Sequence, residues 1–264
     1  MKKKFQAVWN YRSFIFGSVK RDFQSKYQNS LIGVAWNVIN PLAMIVVYTL
    51  IFTEIMKAKL PGVDSSFGYS IYLCVGILTW GLFTEIINRS QTMFIDNANL
   101  LKKISFPRLC LPVIVTVNAL LNFTIVFSLF TIFLVISGNF PGFVYLAMVP
   151  LVGLLIAFAA GIGVVLGILN VFFRDVGQFF GIFVTFWFWL TPIVYLPSIL
   201  PDKIRGLMAL NPMASVMVAV QGIVVQGVWP QSSSLIYPFA LTVALCMLGL
   251  HLFRSHSGEI VDEL

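Results

Sequence analysis

The sequence carries apolar runs too long for a soluble domain of its size to bury. A helix needs about 20 apolar residues to cross the hydrocarbon of a bilayer. Runs of that order lie near 31–52, 69–87, 111–136, 143–169, 179–195 and 235–253. Charged residues make up only 10% of the 264-residue chain, where a soluble domain carries about 25%. The bilayer is therefore the solvent for most of the molecule. The expected fold is an all-α integral membrane protein with six transmembrane helices, and no stretch is polar enough for a separate soluble domain, so 1–264 reads as a single membrane domain. The first run contains Asn37, Asn40 and Pro41. Lipid satisfies none of them, so one side of that span is expected to face protein or a cavity.

The net charge of +7 would suggest a nucleic-acid partner in a soluble protein. Here the basic residues lie between apolar runs, which points to membrane orientation instead. Twelve fall on one side: Lys2, Lys3, Lys4, Arg12, Lys20, Arg21 and Lys26 before the first span, Lys102, Lys103 and Arg108 after the second, Arg174 after the fourth and Arg254 after the sixth. Four fall on the other: Lys57, Lys59, Lys203 and Arg205. Arg89, at a span end, counts for neither. Both termini are expected in the cytoplasm, which six spans allow, with 254–264 a cytoplasmic tail. Residues 196–234 are harder to place. Asn211–Trp229 is apolar but carries Ser215, Gln221 and Gln226, and Pro201 and Pro212 interrupt the region ahead of it. Two half-inserted helices on the external side are the preferred reading. A seventh span is the alternative, and it would carry the acidic C-terminus outside.

Residues 1–30 have a different pattern. Phe5, Val8, Trp9, Phe16, Val19 and Phe23 recur at helical spacing, with basic residues between them. This predicts an amphipathic helix on the anionic cytoplasmic leaflet, with Trp9, Phe16, Lys20, Arg21, Phe23 and Lys26 at the membrane surface. It serves either as a lipid anchor or as a surface that also meets a cytoplasmic partner. No uninterrupted apolar stretch and cleavage site follow the first lysines, so the segment does not read as a cleavable signal.

Chemistry-bearing motifs are few. There is no G-x-x-x-x-G-K-[ST] loop to cradle a nucleotide, no H-E-x-x-H and no nucleophile elbow. Cys74, Cys110 and Cys246 are isolated and lack metal-ligand spacing, so they read as small hydrophobes. Spans of secondary transporters and proton pumps usually carry ionisable residues. Here Glu85 comes closest, with Arg89 four residues on, an order that suits an interfacial helix ion pair. The missing relay implies that energy arrives from another protein. A self-contained channel, a secondary transporter and a membrane-embedded glycan enzyme are the competing classes.

Four segments together resemble the type 2 ABC permeases that export polysaccharides. They are Arg21-Asp22-Phe23 through Lys26-Tyr27, Asn29 to Gly33, Trp36 and Asn40-Pro41; Asn99 to Lys103 with Phe106-Pro107-Arg108 and Leu111-Pro112; Asn170 to Asp175; and Leu190 to Tyr195 followed by Asn211-Pro212. The likeness is nearest to O-antigen exporters, with teichoic-acid exporters as close relatives. It implies a homodimer bound to two copies of a separate ATPase subunit in the bacterial inner membrane. It further implies that ATP and magnesium are held on that partner with no cofactor in this chain, and that the cargo is undecaprenyl-diphosphate-linked polysaccharide moved from cytoplasm to periplasm. Capsule export is a further possibility within the same class. The resemblance also implies that the segment between spans two and three docks on the ATPase, here Asp96, Asn97, Leu100, Leu101, Lys102 and Lys103. An Asp at that helix's start and Lys at its end would suit the helix dipole. Arg174 and Asp175 are either a structural ion pair or a second docking point. One position departs from the family pattern: many members carry Arg where this chain has Gln221.

Phe180, Phe183 and Trp187 share one face of span five, with Phe179 and Phe186 on a neighbouring face. Aromatic rings stack on the C–H faces of sugars without fixing one register, and Tyr48 in span one offers another ring. The same rings serve equally well as lipid-facing or packing residues. The family resemblance implies an aromatic-lined channel from spans one and five, which makes Tyr48, Phe180, Phe183 and Trp187 the candidate lining. Ala157, Gly161, Gly163 and Gly167 in span four predict close helix packing, within the subunit or across a dimer.

Overall fold

The computed structural model describes residues 9–25, 35–55, 67–103, 107–256 and 258–263. Lys26, the first residues of span one and the Lys57–Lys59 loop lie outside the described residues. Everything described is helix, turn or loop, with no strand among the described residues. Helix α1 is Arg12–Ser25, α2 is Trp36–Thr49 with a π-helical extension Leu50–Ile55, and α3 is Gly68–Asp96. The short α4 (Ala98–Lys103) leads to α5 (Cys110–Ile136), and α6 (Met148–Phe172) follows a 3₁₀ segment Gly142–Ala147. Then come α7 (Asp175–Trp189), α8 (Asp202–Met208), α9 (Pro212–Gln221, with a π turn Gly222–Gln226), α10 (Ser232–Ser255) and α11 (Glu259–Asp262).

Among the described residues, four helices are long and apolar enough to cross a membrane: α3, α5, α6 with its 3₁₀ start, and α10. Their bounds bracket the second, third, fourth and sixth apolar runs. Helix α3 overruns its expected end at 87. The sequence from Glu85 to Asp96 has no Pro or Gly to stop it, and it places Ile86, Ile87, Met93 and Phe94 on a buried face. The apolar run ends there, but the helix does not. Span five is shorter than its expected 179–195. Pro192 lacks an N–H and pushes Thr191 out of the helical region, so α7 stops at Trp189. Its 15 residues reach about 22 Å, less than the roughly 30 Å of hydrocarbon. Helix α5 ends in a glycine cap: Gly138 adopts φ 71°, and the amides of Gly138 and Asn139 bond the carbonyls of Val135 and Leu134, closing a Schellman motif.

Helix α3 is the hub. In its most apolar stretch 72% of residues are buried, against 17% for α5 and α10, which leave their outer faces to lipid. It packs on α6 and α5, and α6 packs on α10. The span-four small residues make these contacts within the subunit, on two faces. A Cβ on Gly163 would come within 2.5 Å of Ser90 Cβ, and one on Gly167 within 2.6 Å of the Ser90 carbonyl. On the other face, Gly161 meets Cys246 at 3.2 Å, and the Cys246 thiol donates to the Ala157 carbonyl at 3.4 Å. Cys74 and Cys110 are free thiols buried in the interior.

Replacing Gly167 by Ala should therefore force α3 from α6, at a cost of about 1–3 kcal/mol, read as a lower thermal midpoint in detergent. Gly153→Ala, where nothing lies within 4 Å of the new Cβ, should leave the midpoint unchanged. Equal midpoints for the two variants would contradict this packing.

Candidate functional site

The C-terminal end of α3 and the N-terminal half of α5 enclose, with α1, a cleft of about 740 Å³. Its polar lining follows from helical spacing. Glu85, Asn88, Arg89, Thr92 and Asp96 lie on successive turns of α3, and Asn118 and Asn122 on one face of α5. Asn122 Nδ2 donates to Glu85 Oε1 at 2.7 Å. Arg89 lies 3.7 Å from Glu85 and 3.5 Å from Asp22 of α1. The same Asp22 oxygen accepts from Asn118 Nδ2 at 2.8 Å. The charged members remain partly solvated, so each ion pair is worth at most about 1 kcal/mol. Asn118 is 5% exposed, and its bond to Asp22 matters more, because a buried amide without a partner costs about 1–3 kcal/mol. Glu85 and Arg89 thus belong to a network of three helices. Sequence reasoning missed Asn88, Asn118 and Asn122. The available signal was the pair of Asn residues one turn apart in an apolar span, which require partners.

Helix α1 divides its apolar residues between two surroundings. Ile15 and Val19 are buried in a cluster with Met93, Phe94, Leu101 and Leu111, while Phe16, and Trp9 just ahead of the helix, are exposed at 66% and 68%. Arg12 sits over the Trp9 ring at 5.6 Å. Lys20 is exposed, Arg21 bonds Ser18 Oγ at 3.1 Å, and Phe23 is half-buried at the cleft.

The segment after α3 corrects one expectation. Asp96 ends α3, with its carboxylate accepting from Thr92 at 2.7 Å, and does not start the short helix. The α3 helix continues beyond its apolar run, which carries Asp96 to the opposite end of a dipole. Asn97 marks the break and donates to the Met93 carbonyl at 2.8 Å. In α4, Leu101 is buried, Leu100 lines the cleft and Lys102 is exposed; Lys103 closes the helix. Arg174 and Asp175 are exposed at the turn between α6 and α7, where Asp175 occupies the first turn of α7, a favourable place for an anion. Asn170, 4% exposed, fixes this turn by donating to Gln91 O at 2.9 Å and accepting from Gly177 N at 3.0 Å.

The aromatic face of α7 is split. Phe180, Phe183 and Trp187 do touch in sequence, their rings tilted to one another at centroid distances of 5.4 and 5.3 Å. Trp187, however, is wedged edge-on against Trp80, Phe83 and Phe158, and its Nε1 donates to Asn211 Oδ1 at 2.9 Å. The open face carries Phe179, Ile182, Phe186 and Trp189, with Phe183 at its edge, 42% exposed. Tyr48 is half-buried beside Phe52. Beyond α7, residues 190–195 form a non-helical turn, so Tyr195 lies outside the helix. Asn211 Nδ2 reaches the Leu190 carbonyl and Thr191 Oγ1, both at 3.1 Å. Tyr72 Oη lies 3.2 Å from Pro192 O and 2.8 Å from Tyr195 O. Tyr69 donates to Val194 O at 2.7 Å and Gln221 to Ile193 O at 3.3 Å.

Among the described residues the protein is an all-helical, largely apolar body with a polar cleft at one end, as a multi-pass membrane protein would be. Residues 14–225 match the ABC-2 type transporter family, and the chain belongs to that family. It is 29% identical to the O-antigen export system permease protein RfbA of Myxococcus xanthus, over 98% of both chains. A Klebsiella pneumoniae protein of the same name is 28% identical over 92% of each chain. The polysialic acid transport protein KpsM of Escherichia coli is 21% identical over 92% of this chain and 93% of its own.

Asp22→Ala should strand Asn118 and lower stability by about 1–3 kcal/mol. Asp22→Asn keeps an acceptor for Asn118 and should cost less than about 1 kcal/mol. Thermal unfolding of the purified protein separates the two, and identical losses would remove the Asn118 bond from this account.

Proposed function

We propose that this chain is the permease subunit of an ATP-driven exporter that moves lipid-linked O-antigen polysaccharide from cytoplasm to periplasm. The observation that carries the reading is the end-to-end similarity to O-antigen export permeases within the matched family. Energy comes from a separate ATPase subunit that docks on α4 and on the Arg174–Asp175 turn. The exposed Lys102 and the shortness of α4 support this role. Two copies of the chain act together. The open apolar faces of α2 and α7, with Trp36, Val46, Phe179 and Phe186 exposed, support an arrangement in which these helices line or flank the passage. The polar cleft beneath α1 is where hydrophilic cargo meets an otherwise apolar protein.

The chain crosses the inner membrane six times with both termini in the cytoplasm, α2 and α7 completing the set begun by the four long helices. Helices α8 and α9 are half-inserted from the periplasmic side. Their lengths of 7 and 10 residues support this, as does the course of α9. It starts beside Trp187 and ends where Gly227 approaches Pro141, at the start of the span-four segment.

The purified chain should show no ATPase activity, and export in proteoliposomes should require the partner. In that assay Lys102→Glu with Lys103→Glu should lower export about tenfold or more, the equivalent of losing about 1.4 kcal/mol of productive coupling. Phe183→Leu should slow export while leaving ATPase stimulation intact. It is a cleaner probe than Trp187→Leu, which would also break the Asn211 bond. Full export by the double Lys variant would refute docking at α4.

Topology is checked separately. A cysteine at Lys203 should react with an impermeant reagent from the periplasm, and one at Glu263 only after the membrane is opened. Labelling of both from outside would defeat the six-span arrangement.

A further inference from the structure

Helix α4 is six residues long, too short to hold its shape or place unaided. Its one buried anchor is Leu101, at 8% exposure. The cluster that receives Leu101 draws Met93 and Phe94 from α3, Cys110 and Leu111 from α5, Val171 from α6 and Phe253 from α10. A further member comes from beyond the last span. Ile260, in α11, is fully buried, although its neighbours Glu259 and Glu263 are exposed. The α11 segment lies against both α4 and α6.

The turn that brings Ile260 back is built from specific contacts. His256 N donates to the Leu252 carbonyl at 3.0 Å, and Ile260 N donates to the His256 carbonyl at 3.1 Å. The His256 ring stands edge-on to Phe172 at 5.8 Å, which ties the turn to the end of α6. Phe94 and Phe253 stack at 6.3 Å beneath it. A mere tail of the last span would be expected to stay in water. This one directs a large aliphatic side chain under the cytoplasmic loop.

We infer that Ile260 is a positioning residue for α4: α11, with the His256 ring beside it, forms a wedge that sets where α4 stands and ties it to the end of α6. The functional part of this inference rests on the reading of α4 as the ATPase docking element. With the wedge in place, a force applied at Lys102 passes into α3 and α6 together. Without it, α4 gives way under the same force and ATP is spent without export.

The test uses the full chain with a nitroxide label on Lys102→Cys, in a Cys246→Ala background, first without the partner. Ile260→Ala should raise the mobile fraction of the label about tenfold. Ile260→Asp should raise it further, and Ile260→Val should stay close to the parent. In proteoliposomes with the ATPase, Ile260→Ala should lower polymer exported per ATP hydrolysed several-fold, with complex formation retained and Ile260→Val restoring the ratio. An unchanged label spectrum in a folded Ile260→Ala protein would overturn the wedge, whatever the ATPase does. A freed label with undiminished export per ATP would overturn its role in coupling if the Lys102→Glu, Lys103→Glu variant fails to export. If that double variant exports normally, the docking assignment of α4 is what fails.

Discussion

Backbone carbonyls that leave a helix within a bilayer have no water to accept from, and the protein must supply every donor. The half of the molecule around the end of α7 is arranged around that requirement. Pro192 ends α7 early and releases a run of carbonyls, which Tyr69 and Tyr72 of α3, Gln221 of α9 and the amide of Asn211 then satisfy. The donors come from α3 and from α9 with its N-cap Asn211, so the turn also fixes how α3, α7 and α9 meet. Gly76 belongs to the same device. A Cβ there would lie 2.9 Å from Gln221 Nε2, so a side chain at that position would displace the amide that caps Ile193.

Where local chemistry decides an element, the sequence was a reliable guide. The runs 111–136, 143–169 and 235–253 correspond to α5, the Gly142–Phe172 segment and α10 within a few residues, because length and apolarity alone determine them. The early end of α7 is also written in Thr191-Pro192, where the apolar run continues through a proline that the helix does not. Helix α1 shows a different limit. Amphipathic spacing identifies an apolar face but does not distinguish lipid from protein. Val19 turns inward and Phe16 outward, from positions three residues apart. Asp96 was misplaced because hydropathy falls at the membrane boundary while helical structure persists.

The cleft was the least legible feature. Its ion pairs and amide contacts join Asp22, Glu85 and Arg89 to Asn118 and Asn122 across three helices, and each of these residues taken alone is unremarkable. Glu85 and Arg89, four residues apart and opposite in charge, read as a pair from the chain alone. Tertiary partners convert that pair from a surface ornament into part of a wall. The same holds for Ile260, whose position in a short acidic stretch gives no hint of burial.

The glycine contacts of α6 carry a mechanical consequence. Ratcheting α6 by one turn along α3, about 5.4 Å, would bring a new residue opposite Ser90. In one direction Ala159 replaces Gly163, and in the other Val171 replaces Gly167. Either brings a Cβ into space that already has less than 3 Å of clearance. The two helices are thus locked in register like meshed teeth. They can tilt or travel as one body but cannot shear past each other.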